Sequence, residues 1–303
     1  MSKSKFATRA IACTLTAAML ACSAPVHAQD LTNAAATYPS IPQMTLEEYP
    51  KVDGSLACIP LMEALIQAVT GCDQATAEES LTDFSNTNPS YRALTDGRAD
   101  LILSYEASTQ TKENLNNLEG LDLTPVGRDA LVFIVNSGNP VESLTTEQIH
   151  DIYTGAIQNW SEVGGNDVEI KAFQRRENSG SQTLMRLLLM GDEEIPEKQL
   201  LTIESMEGLI DTVMSYDNSA NAIGFSVYYY ASAMEAREGM KFLSVNGVSP
   251  SNDTIRSGEY TLSHPFYVGI SEEPSEKALA LRDWLLSEEG QKFVEDCGYV
   301  AAG

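Results

Sequence analysis

The sequence predicts an α/β protein of two lobes with mainly parallel sheets, helices on both faces and two crossing strands, and three observations lead there. Short β-type runs alternate with amphipathic helical stretches from Lys51 onward, the pattern of strand–helix–strand units. The length of 303 residues exceeds one ordinary domain. No repeat, low-complexity stretch or linker divides it, so the lobes are expected to share strands rather than follow one another along the chain.

Residues 1–28 read as a secretory signal. Lys3, Lys5 and Arg9 precede an apolar stretch from Ala10 to Cys22, and Val26-His27-Ala28 places small residues at the first and third positions before a cut after Ala28. Met19-Leu20-Ala21-Cys22 loosely resembles a lipoprotein box, which would anchor the chain at Cys22 instead. The first two positions of that box fit poorly, and cleavage after Ala28 is the preferred reading. Either way the chain is expected outside the cytoplasm, periplasmic or extracellular. Residues 29–48, polar and small with Pro39 and Pro42, read as a flexible lead-in.

In the body of the chain, the expected strands are 101–103, 130–135, 169–173, 222–225 and 266–270. Leu61, Leu65, Ala68 and Val69 define one apolar helix face, Ile149, Ile152 and Tyr153 a second, and Leu184, Leu187 and Leu188 a third. Thr145 with Gln148 has capping-box spacing and reads as structural. Tyr228-Tyr229-Tyr230 reads as packing.

Charge excludes whole classes of function. Asp and Glu number 43 against 19 Lys and Arg, for a net charge of -24. Nucleic acids and anionic membranes are bound by Lys/Arg clusters, and none is present, so no nucleic-acid partner is expected. With three histidines and no paired cysteine spacing, neither a metal nor a cofactor is expected. Cys58, Cys72 and Cys297 are an odd set after the leader; Cys58 and Cys72 would lie about 20 Å apart along a helix, whereas Cys72 with Cys297 stays open. No nucleophile elbow, nucleotide phosphate loop or Ser-His-Asp order occurs, so no enzyme activity is expected.

Two helix starts have the chemistry to hold an anion. In Asp53-Gly54-Ser55-Leu56-Ala57-Cys58-Ile59-Pro60, Gly54 permits an unusual backbone angle, Ser55 can cap, and Pro60 suits a first helical turn. The amides of residues 55–57 would then point out of the helix start. In Arg175-Arg176-Glu177-Asn178-Ser179-Gly180-Ser181-Gln182, Ser179 and Gln182 have capping-box spacing, Ser-Gly-Ser brings hydroxyls and close-set amides, and one arginine supplies a charged fork. Each segment alone also describes an ordinary capped helix; together, one in each presumed lobe, they suggest a small oxyanion clamped between lobes.

A series of motifs in one order then carries a resemblance. They are Tyr49 to Ser55 with Pro60-Leu61, Ala99 to Ser104, Asn139-Pro140-Val141, Leu144-Thr145, Ile152 to Gly155, Asn159 to Gly165, Arg175 to Thr183, Asn221 to Phe225, Gly258 to Pro265, Glu289-Gly290-Gln291 and Gly298-Tyr299-Val300. From about Tyr49 to the C-terminus the chain resembles the phosphate-binding proteins of bacterial phosphate ABC transporters, of the type II periplasmic binding fold. The resemblance implies lobe one from residues 49–130 and 266–303, lobe two from 131–265, and crossings near 130–135 and 265–270. It implies an exported monomer that captures inorganic phosphate or a similar oxyanion and delivers it to an ABC permease in the inner membrane. An extracytoplasmic sensor or adhesion module of the same fold is the alternative.

The ligand set implied by the resemblance is Ser55, the Leu56 amide, Thr87 or Ser90, Ser104, Arg175, Ser179, Gly180 and Ser181. The chain departs from the family twice. Leu56 stands where a second hydroxyl is usual, and Ser104-Tyr105-Glu106 lacks the Asp that takes the ligand's proton in transporter members. Glu106 or Asp53 would have to replace it, or the Tyr105 hydroxyl would face the ligand, and phosphate would be preferred over sulfate only modestly.

Overall fold

A computed structural model describes residues 34–303, apart from 82, 194, 196–199 and 216–218. The expected leader and its cleavage or lipidation site lie outside the described residues.

Eleven strands occur among the described residues: β1 (Val52–Gly54), β2 (Leu101–Ser104), β3 (Leu121–Asn136), β4 (Ser143–Leu144), β5 (Lys171–Arg175), β6 (Leu200–Ile203), β7 (Ala222–Val227), β8 (Met240–Phe242), β9 (Ser244–Val245), β10 (Ser263–Ser271) and β11 (Val300–Ala301). The main sheet runs β1-β2-β10-β3-β7-β5-β6, with β8 and β11 also pairing β3. Its outer pairs, β1 with β2 and β7-β5-β6, are parallel. Its middle is antiparallel, because two long strands run through it in opposite directions.

The 16-residue β3 joins the two halves. As far as Ala130 it pairs with β10; from Leu131 it pairs with β7. The chain returns just before Ser263, which lies opposite Ala130, while the Leu131 amide donates to the Leu262 carbonyl at 2.9 Å. The return therefore precedes residues 265–270, which lie wholly between β2 and the first half of β3. Ala130 to Val135 have no exposed surface, so the second part of β3 is an unbroken apolar run rather than an alternating one, while the first part is mixed in polarity and partly exposed.

The helices are α1 (Ala34–Thr37), α2 (Ile59–Thr70), α3 (Gln74–Ser80), α4 (Thr87–Thr95), α5 (Thr109–Asn114), α6 (Thr146–Thr154), α7 (Gly180–Met185), α8 (Met206–Ser215), α9 (Asn252–Ser257), α10 (Glu276–Leu285) and α11 (Glu288–Asp296). The expected faces of α2 and α6 are buried. The third face is buried only in part: Leu184 is in the core and Leu188 packs against it, but after α7 the chain widens into a π-type turn over Arg186–Met190 and Leu187 turns outward to 51% exposure.

Two further expectations change. The lead-in is not free from residue 34 onward: Tyr38 is buried edge-on against Trp284 and Phe293, its hydroxyl donates to Asp296 at 2.7 Å, and Ile41 and Met44 join the core. Aromatic and aliphatic side chains spaced three apart within a polar stretch were enough to dock it. Cys58, Cys72 and Cys297 are unpaired thiols. No single helix among the described residues is long and apolar enough to cross a membrane.

Candidate functional site

A cleft of about 640 Å³ opens between the two halves of the sheet, at the ends of β1, β2 and β5. Sheet geometry dictates its place, since parallel strands deliver the following helix starts to one edge and leave their first-turn amides without intrahelical acceptors. Ser55, Leu56 and Thr87 line it from the first half; Arg175, Ser179, Gly180 and Ser181 line it from the second.

Gly54 places Ser55. A Cβ on Gly54 would sit 2.0 Å from the Leu103 carbonyl oxygen, so only glycine lets β1 end this close to β2. Its φ is not in the left-handed region, so close approach, not an unusual backbone angle, is its role. Nor does the Ser55 hydroxyl cap its helix. It bonds Thr87 Oγ1 at 2.8 Å and Ser104 Oγ at 3.0 Å, and accepts from the Tyr105 amide at 2.9 Å. Ser90 Oγ donates to the Thr87 carbonyl at 2.8 Å and to Ser104 Oγ at 3.2 Å. All four hydroxyls thus form one buried network. Only Ser55 and Thr87 reach the cleft; Ser90 and Ser104 stand behind them.

Arg175 is 8% exposed at the end of β5. Its Nε donates to the Ile203 carbonyl at 3.2 Å and its Nη2 to the Glu204 carbonyl at 2.9 Å. Nη1 is buried with no partner among the described residues, and so is Ser181 Oγ. Burial pulls the guanidinium down from 12.5 to about 10, which still leaves it charged at neutral pH. Arg176, by contrast, is exposed and paired to Glu204 at 2.7 Å. The Ser179–Gln182 box is half formed: Ser179 Oγ accepts from the Gln182 amide at 3.4 Å, while the Gln182 carboxamide oxygen instead takes the Arg175 amide at 3.2 Å.

The two halves touch at this cradle. A Cβ on Gly180 would lie 2.5 Å from Thr87 Oγ1. Asn88 Nδ2 donates to the Asn178 carbonyl, and Asn178 Nδ2 donates to Gln110 Oε1. Asn86 and Asn178, each just before a helix start in the cradle, have positive φ of 75° and 66°, which Asn tolerates better than most residues. Sequence reasoning missed Asn88, Gln110 and Asn178; an Asn beside each helix start was the available signal.

No buried carboxylate among the described residues faces the cleft. Asp53 Oδ1 accepts from the Gly54 amide at 2.7 Å and the Ser85 amide at 2.8 Å, and its Oδ2 accepts from Ser85 Oγ. Glu106 points into a neighbouring cavity, pairs with Lys112 at 2.6 Å and accepts from the Tyr267 hydroxyl at 2.9 Å. Tyr105 borders the cleft, yet its hydroxyl donates to buried Asp129 on β3 rather than facing a ligand. The carboxylates that do line the cleft, Glu177 and Glu204, are exposed and paired to Arg186 and Arg176.

A doubly spanned α/β sheet with a donor-lined cleft at the join is the architecture of a bilobal binding protein. The chain belongs to the PBP superfamily, whose domain matches residues 47–289. It is 29% identical over 197 residues to the phosphate-binding protein PstS of Borreliella burgdorferi, covering 63% of this chain and 68% of that one. It is 26% identical to PstS of Staphylococcus saprophyticus, over 83% of this chain and 79% of that one. Among solved structures it is similar to a putative phosphate ABC transporter substrate-binding protein with bound phosphate from Clostridium perfringens. That likeness has a TM-score of 0.64 and 25% identity, over 83% of this chain and 98% of that one. An ABC-type phosphate transport receptor from Vibrio cholerae shares the fold, with a TM-score of 0.61 at 23% identity, over 82% of this chain and 98% of that one.

Proposed function

We propose that the protein is a PstS-like solute-binding protein that captures phosphate between two lobes and delivers it to an ABC permease. One observation carries the reading: Arg175 Nη1 and Ser181 Oγ, buried and without partners among the described residues, border a cleft also lined by Ser55 and Thr87. A buried charged donor left unpaired is costly, and a tetrahedral oxyanion would satisfy it. Ser55, Thr87, Arg175, Ser179, Gly180, Ser181 and the Leu56 amide form the contact set; Ser90 and Ser104 hold Ser55 and Thr87 in place.

Lobe one comprises residues 49–130 with the chain after the return near Ser263, and lobe two the residues between. Ligand contacts made from both lobes at once favour a closed arrangement, such as the one in which Thr87 and Gly180 approach each other. No covalent step is involved. The protein acts outside the cytoplasm as a monomer, released after Ala28.

Calorimetry of ligand-stripped protein against inorganic phosphate tests the reading. Saturable one-to-one binding is expected. Absence of heat at millimolar phosphate, with the protein folded, would point instead to the sensor or adhesion role.

A further inference from the structure

Inorganic phosphate fills little of this cleft. The ion has five heavy atoms and takes the space of two or three waters at about 30 Å³ each. The cleft encloses about 640 Å³, within the range of about 300–1,000 Å³ typical of sites for organic molecules. The lobes touch at Thr87–Gly180 and Asn88–Asn178, and the space beside that contact is partly open to solvent. The lining beyond the cradle is partly apolar, with Phe84, Leu115 and buried Met206 beside the exposed Arg92.

The cradle's polar groups point the same way. Monohydrogen phosphate carries a P–OH that, once out of water, needs an acceptor. Here the nearby carboxylates are engaged elsewhere: Asp53 by Gly54 and Ser85, Glu106 by Lys112 and Tyr267, Asp129 by Tyr105, and the two at the exposed rim, Glu177 and Glu204, by Arg186 and Arg176. What faces the anion is a guanidinium, first-turn amides and hydroxyls that can donate as readily as accept. A phosphonate or phosphate monoester dianion presents three oxygens without a proton, and its fourth substituent is organic. It suits a cradle of donors with a partly apolar space beside it.

We infer that the cleft accepts a phosphoryl group carrying a small organic substituent, as a phosphonate or a phosphate monoester, with the –PO₃ group on Arg175 and Ser181 and the substituent against Phe84, Leu115 and Met206. The inference rests on the cradle being an oxyanion site, as proposed above.

Isothermal titration of the ligand-stripped protein at pH 8 against phosphate, methylphosphonate and sn-glycerol 3-phosphate tests this. Either or both organic ligands should bind within about tenfold of phosphate, the span of a modest contact difference. Leu115→Trp, which fills the outer space, should weaken the glycerol phosphate by about tenfold or more and leave phosphate unchanged. Methylphosphonate alone would indicate a phosphonate site, and glycerol phosphate a monoester site; both support the inference. Phosphate binding with neither organic ligand detected at a hundredfold the phosphate Kd overturns the inference and leaves the oxyanion reading intact. Silence toward all three overturns both. Equal losses of phosphate and ester in Leu115→Trp would remove the substituent from the assigned place.

Discussion

The two walls of the cleft are built on opposite principles. On the first-lobe wall the hydroxyls of Ser55, Thr87, Ser90 and Ser104 already bond one another and the backbone. On the second-lobe wall Arg175 Nη1 and Ser181 Oγ are buried and unmatched among the described residues. Hydrogen bonds that exist before binding fix geometry, and ligand adds little to them; donors desolvated in advance release their penalty only when an anion arrives. The first wall should therefore govern folding and the second wall affinity.

Removing the charge from the second wall gives the largest effect. Arg175→Ala should weaken phosphate binding at least about a hundredfold, because a charge-assisted fork contributes roughly 1.5–3 kcal/mol per bond. Thermal stability should not fall correspondingly, since the guanidinium is desolvated and incompletely paired. Calorimetry and a melting curve on the same sample check both halves of this expectation. Unchanged affinity in a folded variant would remove Arg175 from the site.

The join between the walls is also electrostatically costly. Asp129, one residue before β3 changes partners, accepts from the Ala130 amide at 2.7 Å, the Tyr229 amide at 3.1 Å and the Tyr105 hydroxyl. Burial nevertheless pushes its carboxyl up from 3.8 to about 6. A raised carboxyl means the folded state binds the proton more tightly, so the cost of the buried charge is fully present above pH 6 and is relieved between pH 6 and 4. Over that window this group should add about 2 kcal/mol of stability as pH falls. Urea titrations of wild type and Asp129→Asn at pH 7 and pH 4.5 isolate it. The stability difference, wild type minus variant, should shift in favour of wild type at the lower pH. A difference that does not change with pH would mean the carboxyl titrates at its ordinary value.

A paired comparison on the two walls is smaller but more diagnostic. Ser104→Ala, behind the first wall, should cost about 1 kcal/mol of stability by removing one hydrogen-bond partner each from Ser55 and Ser90, with affinity changed only a few-fold. Ser181→Ala should do the reverse: about tenfold weaker binding, with stability altered by less than about 0.5 kcal/mol. If both serines lower stability and affinity together, the distinction between the walls fails.

The sequence made the second wall more legible than the first. Arg175, Ser179, Gly180 and Ser181 are contiguous, so one loop displays the charge, the hydroxyls and the amides at once. Ser55, Thr87, Ser90 and Ser104 come from three segments, and which of Thr87 and Ser90 reaches the cleft depends on how α4 is rotated against β2. The apolar run of β10 begins only at Phe266, whereas its pairing with β3 already begins at the polar Ser263 opposite Ala130, so hydrophobic pattern alone puts the second crossing a few residues late. A 3.6-residue repeat places Leu187 inward, and the backbone instead takes a π-type turn there. Sequence leaves a ligand-facing Tyr105 hydroxyl open as one alternative, because its actual partner, Asp129, is 24 residues away along the chain.

That last contact sharpens what separates phosphate from sulfate. A site that demands the proton of monohydrogen phosphate sets a fixed acceptor against it, and sulfate then meets lone pair with lone pair at a cost of a few kcal/mol. Here Asp53 and Glu106 are occupied elsewhere and the Tyr105 proton belongs to Asp129. The remaining groups, Ser55, Thr87 and Ser181, can turn a hydroxyl proton toward sulfate as easily as accept one from phosphate. The preference for phosphate should therefore be no more than about tenfold at pH 7, read as displacement of bound phosphate by sulfate in competition calorimetry. Tyr105→Asp is a poor way to restore strictness, because it would bury a second carboxylate beside Asp129 and strand the first. Ser181→Asp puts an acceptor on the cleft surface itself, and it should weaken sulfate more than phosphate. Should wild type ignore millimolar sulfate while holding micromolar phosphate, an acceptor must reach the cradle on closure, and Glu177 or Glu204 at the rim would be the residue to replace next.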